Sequence, residues 1–155
     1  MRPRAYAEGT TVPVEKTRVE IERVLTKHGA NQLGIVSDTE RGAAMVLFSM
    51  AERQVRMRVP LPRLEEARRG RGASNRDRQI HRWEQASRER WRAVLLLVRA
   101  KLELIELGLS TIEREFLADI ALPNGQTVGD LLHVQLEEAY ATGSMPPLLP
   151  PPRAS

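Results

Sequence analysis

The chain contains no cysteine. That removes disulfides, thiolate metal sites and thiol nucleophiles together, and it fits a reducing compartment. Aromatic residues make up only 4% of the sequence, so aliphatic side chains must carry the packing. There is no long hydrophobic run. The longest, Ala93 to Val98, falls far short of the roughly 20 residues that cross a bilayer. Residues 1–16, MRPRAYAEGTTVPVEK, lack the apolar centre of a signal peptide. These absences predict a soluble cytoplasmic protein with no membrane partner. Catalytic signatures are missing too. There is no phosphate loop, no dinucleotide fingerprint and no nucleophile elbow, and Gly70-Arg71-Gly72 lacks the lysine and strand context of a phosphate cradle. The expectation is a non-enzymatic protein without metal or cofactor.

Titratable residues do not overturn that expectation. His28, His81 and His133 are far apart and lack ligand-like spacing. His28 ends a helix, where a cation favours the dipole. His81, between Arg78 and Arg82, is a phosphate-contact candidate. Asp38 and Glu40 share a turn, where Asp at the first position is the ordinary structural case. Glu113, Glu115 and Asp119 crowd one short segment as a solvated acidic face or an intersubunit partner.

What the chain does have is arginine. It supplies 21 of the 24 basic residues. Residues 1–50 carry a net charge of +1, residues 51–101 of +9 and residues 102–155 of −6. The middle suggests a polyanion partner, and the end suggests a different one. Nine arginines fall within residues 53–78.

Periodicity gives the organisation. Residues 1–13 read as a loose arm. Thr17-Arg18-Val19-Glu20 has the form of a capping box and opens a helix ending near His28 and Gly29. Three strands follow, at 32–37, 43–50 and 54–59, separated by turns at 38–42 and 51–53. The third alternates cleanly, with Val55, Met57 and Val59 on one side and Gln54, Arg56 and Arg58 on the other. This predicts an antiparallel meander with one packed face and one basic face. Residues 63–75 read as a basic mobile loop, with Ser74 or Asn75 capping a long helix over 76–107.

That helix carries a stripe through Ile80, Trp83, Ser87, Trp91, Val94, Val98, Leu102, Ile105 and Leu109. Its centre is apolar on nearly every side, which predicts burial against the C-terminal helices or a second subunit. Trp83, Trp91, Val94 and Val98 are therefore candidates for core or for an oligomer interface. A second capping box at Ser110–Glu113 opens a short helix. Asn124-Gly125 predicts a type I′ hairpin over 120–128. A last helix over 129–141 should bury Leu131, Leu132, Leu136 and Tyr140. Residues 144–155 form a proline-rich tail. The fold class is α+β: one domain over 14–143, with a small antiparallel sheet packed on a long helix.

The segments Thr17–Leu25 (TRVEIERVL), Trp83–Ala93 (WEQASRERWRA), Glu115–Val128 (EFLADIALPNGQTV) and Ser144–Pro150 (SMPPLLP) together resemble a family of small proteins encoded by tailed phages and prophages. The resemblance spans residues 15–150. It implies a mobile-element protein inside a host bacterial cell and assigns no residue a role. The meander followed by a long helix is also similar in topology to ring-forming single-strand annealing proteins. The order α-β-β-β-α is similar to double-stranded-RNA-binding domains, although Arg82-Trp83-Glu84-Gln85-Ala86 stands where those carry a basic cluster.

The leading expectation is a nucleic-acid-binding accessory protein of phage DNA metabolism, with single-stranded DNA favoured. Arg56 and Arg58 lie about 7 Å apart along one strand, near the interval between successive phosphates. Arg53 extends that edge, and Arg68, Arg69 and Arg71 with Arg76, Arg78 and Arg82 would form a second wall. Two alternatives stay open. One is a module binding a host protein or small ligand, such as a counter-defence factor. The other is a homo-oligomeric structural part.

Overall fold

A computed structural model describes residues 10–147. Most of the expected arm (residues 1–9) and most of the proline-rich tail (148–155) lie outside the described residues. The element order is α1 (Val14–Lys27), β1 (Asn31–Asp38), β2 (Ala43–Met50), β3 (Arg53–Pro60), α2 (Leu64–Arg68), α3 (Ala73–Glu106), α4 (Ile112–Phe116), a 3-10 turn (Leu117–Asp119) and α5 (Val128–Thr142). The three strands form one antiparallel sheet in the order β1-β2-β3. The fold is α+β.

The inner face of the sheet follows from the alternation of its strands. Ala44, Val46, Phe48 and Met50 of β2, with Val55, Met57 and Val59 of β3, are all buried. Ile21 and Leu25 of α1 and Trp91, Leu95, Val98 and Leu102 of α3 cover them. Phe116 of α4 closes one end, meeting Phe48 edge to face at 5.4 Å. Trp91 and Val98 are thus core residues of the single chain, whereas Trp83 and Val94 are half-buried. Alpha-1 is fastened to α3 by Glu20, which accepts from Arg92 (2.9 Å) and Arg99 (2.5 Å). Burial alone would raise the Glu20 carboxyl pKa, and the two guanidiniums more than reverse that.

Several details depart from the sequence reading. Thr17 does not cap α1, which begins three residues earlier. The Thr17 side chain is buried, and its hydroxyl donates to the Pro13 carbonyl one turn back. Glu20 is occupied by α3 rather than by the helix start. Residues 63–75 are not one mobile loop. Residues 64–68 form α2, pinned by the Leu64 N–H on Thr39 O, by Arg68 on Glu40 and by buried Ala67. The long helix starts at Ala73 behind Gly72, whose φ of 83° places it in the left-handed region, so neither Ser74 nor Asn75 is the cap. Alpha-4 is capped by Thr111 rather than Ser110.

The hairpin turn is centred on Pro123-Asn124, closed by the Gly125 N–H on Leu122 O. Only Gly125 takes positive φ there, at 86°, so the turn is not type I′. The centre of α3 is covered on one side only: Leu97 and Leu104 are exposed. Alpha-5 buries no residue; Leu131 and Leu132 are half-covered, Leu136 is exposed and Tyr140 is 90% exposed.

The β2–β3 connection is a two-residue turn, with Met50 paired to Arg53. Both central residues have positive φ, Ala51 at 49° and Glu52 at 60°. That is the geometry a tight hairpin requires, filled by residues with a Cβ penalty. Replacing Ala51-Glu52 by Asn-Gly should therefore raise stability by about 1–2 kcal/mol in urea unfolding. An unchanged midpoint would mean the turn is not strained.

Candidate nucleic-acid interface

Each of the three arginines of β3 reaches into the C-terminal third of the chain. Arg53 pairs with Glu113 at 3.3 Å. Arg56 donates to the Gly125 carbonyl at 3.0 Å. Arg58 holds Asp130 with two parallel bonds of 2.9 and 3.1 Å. The hairpin sits against the same strand: the Ala121 N–H donates to Gln54 O, and Ile120 bridges to Val55.

Asp130 also completes the capping box of α5, accepting from the Thr127 N–H while its own N–H donates to the Thr127 hydroxyl. The Thr127 backbone bond first, then its side chain and Arg58, hold the Asp130 carboxyl below the usual carboxylate range against slight desolvation. Beside it, burial pushes the Asp119 carboxyl up, partly offset by Lys101 and Arg58. The outer sheet face is only half basic. Val36, Met45 and Leu47 lie on it beside Arg56 and Arg58, because their register partners share that side.

The second arginine group lies around α2 and the start of α3. Arg68 is bound to Glu40 and Arg69 to Glu65. Arg78 donates only to the neutral hydroxyl of Ser74, at 3.3 Å. Arg71, Arg76 and Arg82 are exposed, and their side chains make no hydrogen bond or ion pair among the described residues. No side chain caps the first turn of α3.

An open cleft of about 600 Å³ runs between α2 and α3, lined by Trp83 with Arg82, with Arg63 paired to Glu66 at 3.7 Å, and with Arg90, which donates to the Pro60 carbonyl at 2.7 Å. The Trp83 indole N–H is fixed on the Pro62 carbonyl at 2.7 Å, so the ring stands as a wall of the cleft. Sequence reasoning left Trp83 to the core stripe. Arg82 and Arg90 share its side of α3 by helical spacing, and the bend that folds α2 back onto α3 closes the cleft with Arg63 and Glu66.

The histidines are separate in space as in sequence. His28 Nε2 lies 2.7 Å from Glu106, and its Nδ1 lies 3.0 Å from the Val24 carbonyl, to which only a protonated Nδ1 can donate. This ties the end of α1 to the end of α3. His81 and His133 meet Glu84 and Glu137 on their own helices. No helix among the described residues is long and apolar enough to cross a membrane. Comparison with protein-family models, curated proteins and solved structures gives no match.

Linkage fixes how the α5 anchor responds to acid. Asp130 has a depressed pKa, so its contribution is fully present above the unfolded value of about 3.9 and is lost as pH falls through the lower folded value. Protection factors of the amides of residues 128–134, taken relative to intrinsic exchange at each pH, should be higher at pH 6 and fall below pH ~4. Asp130→Asn should exchange faster at pH 6 and show no such acid step. A variant with the wild-type profile would remove Asp130 from the anchor.

Proposed function

We propose that the protein is a non-enzymatic nucleic-acid-binding accessory factor of a mobile element, and that its contact surface is the α2–α3 end rather than the β3 face. The observation that carries this reading is the division among the arginines. Those of β3 are used inside the chain, while among the described residues the side chains of Arg71, Arg76 and Arg82 are exposed and unpaired, and Arg82 lines, together with Glu66, a cleft walled by Trp83.

Phosphates are held by exposed guanidiniums and by the uncapped N-terminus of a long helix. A base stacks on an indole whatever its sequence. This combination favours a flexible single strand over a duplex, whose stacked bases cannot reach a wall residue. Arg78 joins the same surface once it leaves Ser74, and Arg68 and Arg69 add field without direct contact.

Fluorescence anisotropy with a labelled single-stranded oligonucleotide at several salt concentrations tests the reading. The variant Arg71→Ala/Arg76→Ala/Arg82→Ala should lose affinity and lower the slope of log K against log salt by about 2–3 units. Wild-type binding by that variant, or no binding by the wild type at low salt, contradicts it.

A different observation favours self-association as a second property. Ala93, Leu97, Ala100, Leu104 and Leu107 are exposed on α3 at alternating spacings of four and three, the repeat of a coiled-coil seam. In an antiparallel pair centred between Leu97 and Ala100, each leucine of the central four positions meets an alanine. The same arrangement brings the acidic end of the seam (Glu103, Glu106) toward Arg90 of the other copy. Light scattering should give a dimer that Leu97→Asp/Leu104→Asp converts to a folded monomer. A monomeric wild type at high concentration excludes it.

A further inference from the structure

On the other side of Trp83 lies a second cavity of about 370 Å³, half enclosed beneath α1 and the β1–β2 turn. Two tryptophans line it, Trp83 and Trp91. Both rings are fixed in place. The Trp83 N–H is held by Pro62 O, and Trp91 is 2% exposed with the Arg18 guanidinium 5.7 Å from its ring centroid. A chain with six aromatic residues in all places two of them here.

Two buried polar atoms of residues lining this cavity have no bonding partner among the described residues. Ser87 is 5% exposed and its hydroxyl has no partner among the described residues. Arg88 is half-buried; its Nη2 donates to Gln85 at 2.7 Å, while its buried Nε–H has no partner among the described residues. A buried donor without an acceptor is costly and is rare in native proteins. Both residues line a space large enough for a small molecule, and these two atoms are themselves closed to solvent.

The charges are layered as well. Arg18 keeps one amino group on the Ile35 carbonyl at 3.2 Å, and with Arg88 it supplies the positive charge deep in the cavity. The carboxylates, Glu15 (81% exposed) and Glu84 (44% exposed), lie toward solvent and face Arg18 and His81 respectively.

We infer that this cavity is a binding site for a small planar molecule carrying one anionic group, of the nucleoside monophosphate class. The planar body lies against the Trp83 indole, with Trp91 and Arg18 behind it, and the anion is drawn by the Arg18 and Arg88 guanidiniums, the closed Arg88 Nε–H and Ser87 hydroxyl opening to it on binding. Cavities of about 300–1,000 Å³ with an apolar lining and a few convergent polar groups are the usual form of such sites. This inference does not rest on the nucleic-acid surface at the α2–α3 end, because it uses a different cavity and different arginines.

Tryptophan fluorescence reports directly, since both tryptophans of the chain line the cavity. Titration of the full chain with AMP should quench emission saturably. Adenosine and inorganic phosphate alone should bind at least about tenfold more weakly, each lacking one half of the recognition. Arg88→Gln should weaken AMP binding about tenfold or more with an unchanged circular dichroism spectrum. Ser87→Val fills the cavity without changing charge and should also abolish quenching, which keeps the test decisive if Arg88→Gln folds poorly. The variant Arg71→Ala/Arg76→Ala/Arg82→Ala should bind AMP like the wild type, which separates this site from the oligonucleotide surface. Absence of saturable quenching by AMP, GMP and UMP at millimolar concentration, or wild-type binding by Ser87→Val, overturns the inference.

Discussion

A three-stranded sheet with one apolar face persists in water only if something covers that face, and α3 is the cover. Trp91, Leu95, Val98 and Leu102 recur every three or four residues and meet Val46, Phe48, Val55 and Met57 across the core. Truncating one such buried residue typically costs about 2–5 kcal/mol, a large fraction of the stability of a domain this size. Everything else is arranged around that contact. Alpha-1 fills the side of the layer and is held by Glu20 on Arg92 and Arg99. Alpha-4 closes the end through Phe116. Because α3 is 34 residues long and the core uses only its middle and later turns, its first turns extend beyond the sheet with their arginines exposed.

The same geometry sorts the charges. The sequence is basic in its middle third and acidic in its last third, a pattern that read as two external partners. Much of it is resolved within the chain. Beta-3 and the C-terminal segment lie side by side, so Arg53, Arg56 and Arg58 find Glu113, the Gly125 carbonyl and Asp130. Exposed ion pairs of this kind contribute little individually. Their effect here is positional, since α5 buries no residue of its own and depends on its first turn for attachment. Among the described residues, Arg71, Arg76 and Arg82 at the α2–α3 end stay unpaired, as do Lys16, Arg23 and Lys27 on α1, and that unpaired charge, rather than the total, is what a polyanion would meet.

Elements fixed by local periodicity were legible in the sequence. The bounds of β2 and the alternation of β3 followed from their side chains, and the meander order follows from short connections between neighbouring strands. Elements fixed by contacts distant in sequence were not legible. Thr17 and Glu20 have the spacing of a capping box, yet Glu20 is claimed by arginines more than 70 residues away. Alpha-2 is five residues long with a composition that reads as loop; its attachments to Thr39 and Glu40 make it a helix. The arginines of β3 looked free because their partners lie in a segment whose docking no local pattern encodes. Spacing places Trp83 on the α3 stripe as a core or interface candidate; it is half-buried instead, and its position between two cavities depends on how α1 and α2 pack against α3.

Residue-resolved arginine modification by a dicarbonyl reagent, with and without a single-stranded oligonucleotide, tests the division of the arginines most directly. The account predicts that Arg71, Arg76 and Arg82 react readily in the free protein and are protected by the oligonucleotide. It predicts that Arg56 and Arg58 react slowly in both states, because their guanidiniums are held by Gly125 and Asp130. Protection appearing instead at Arg56 and Arg58, with Arg71, Arg76 and Arg82 unaffected, would place the contact surface on the sheet and contradict it.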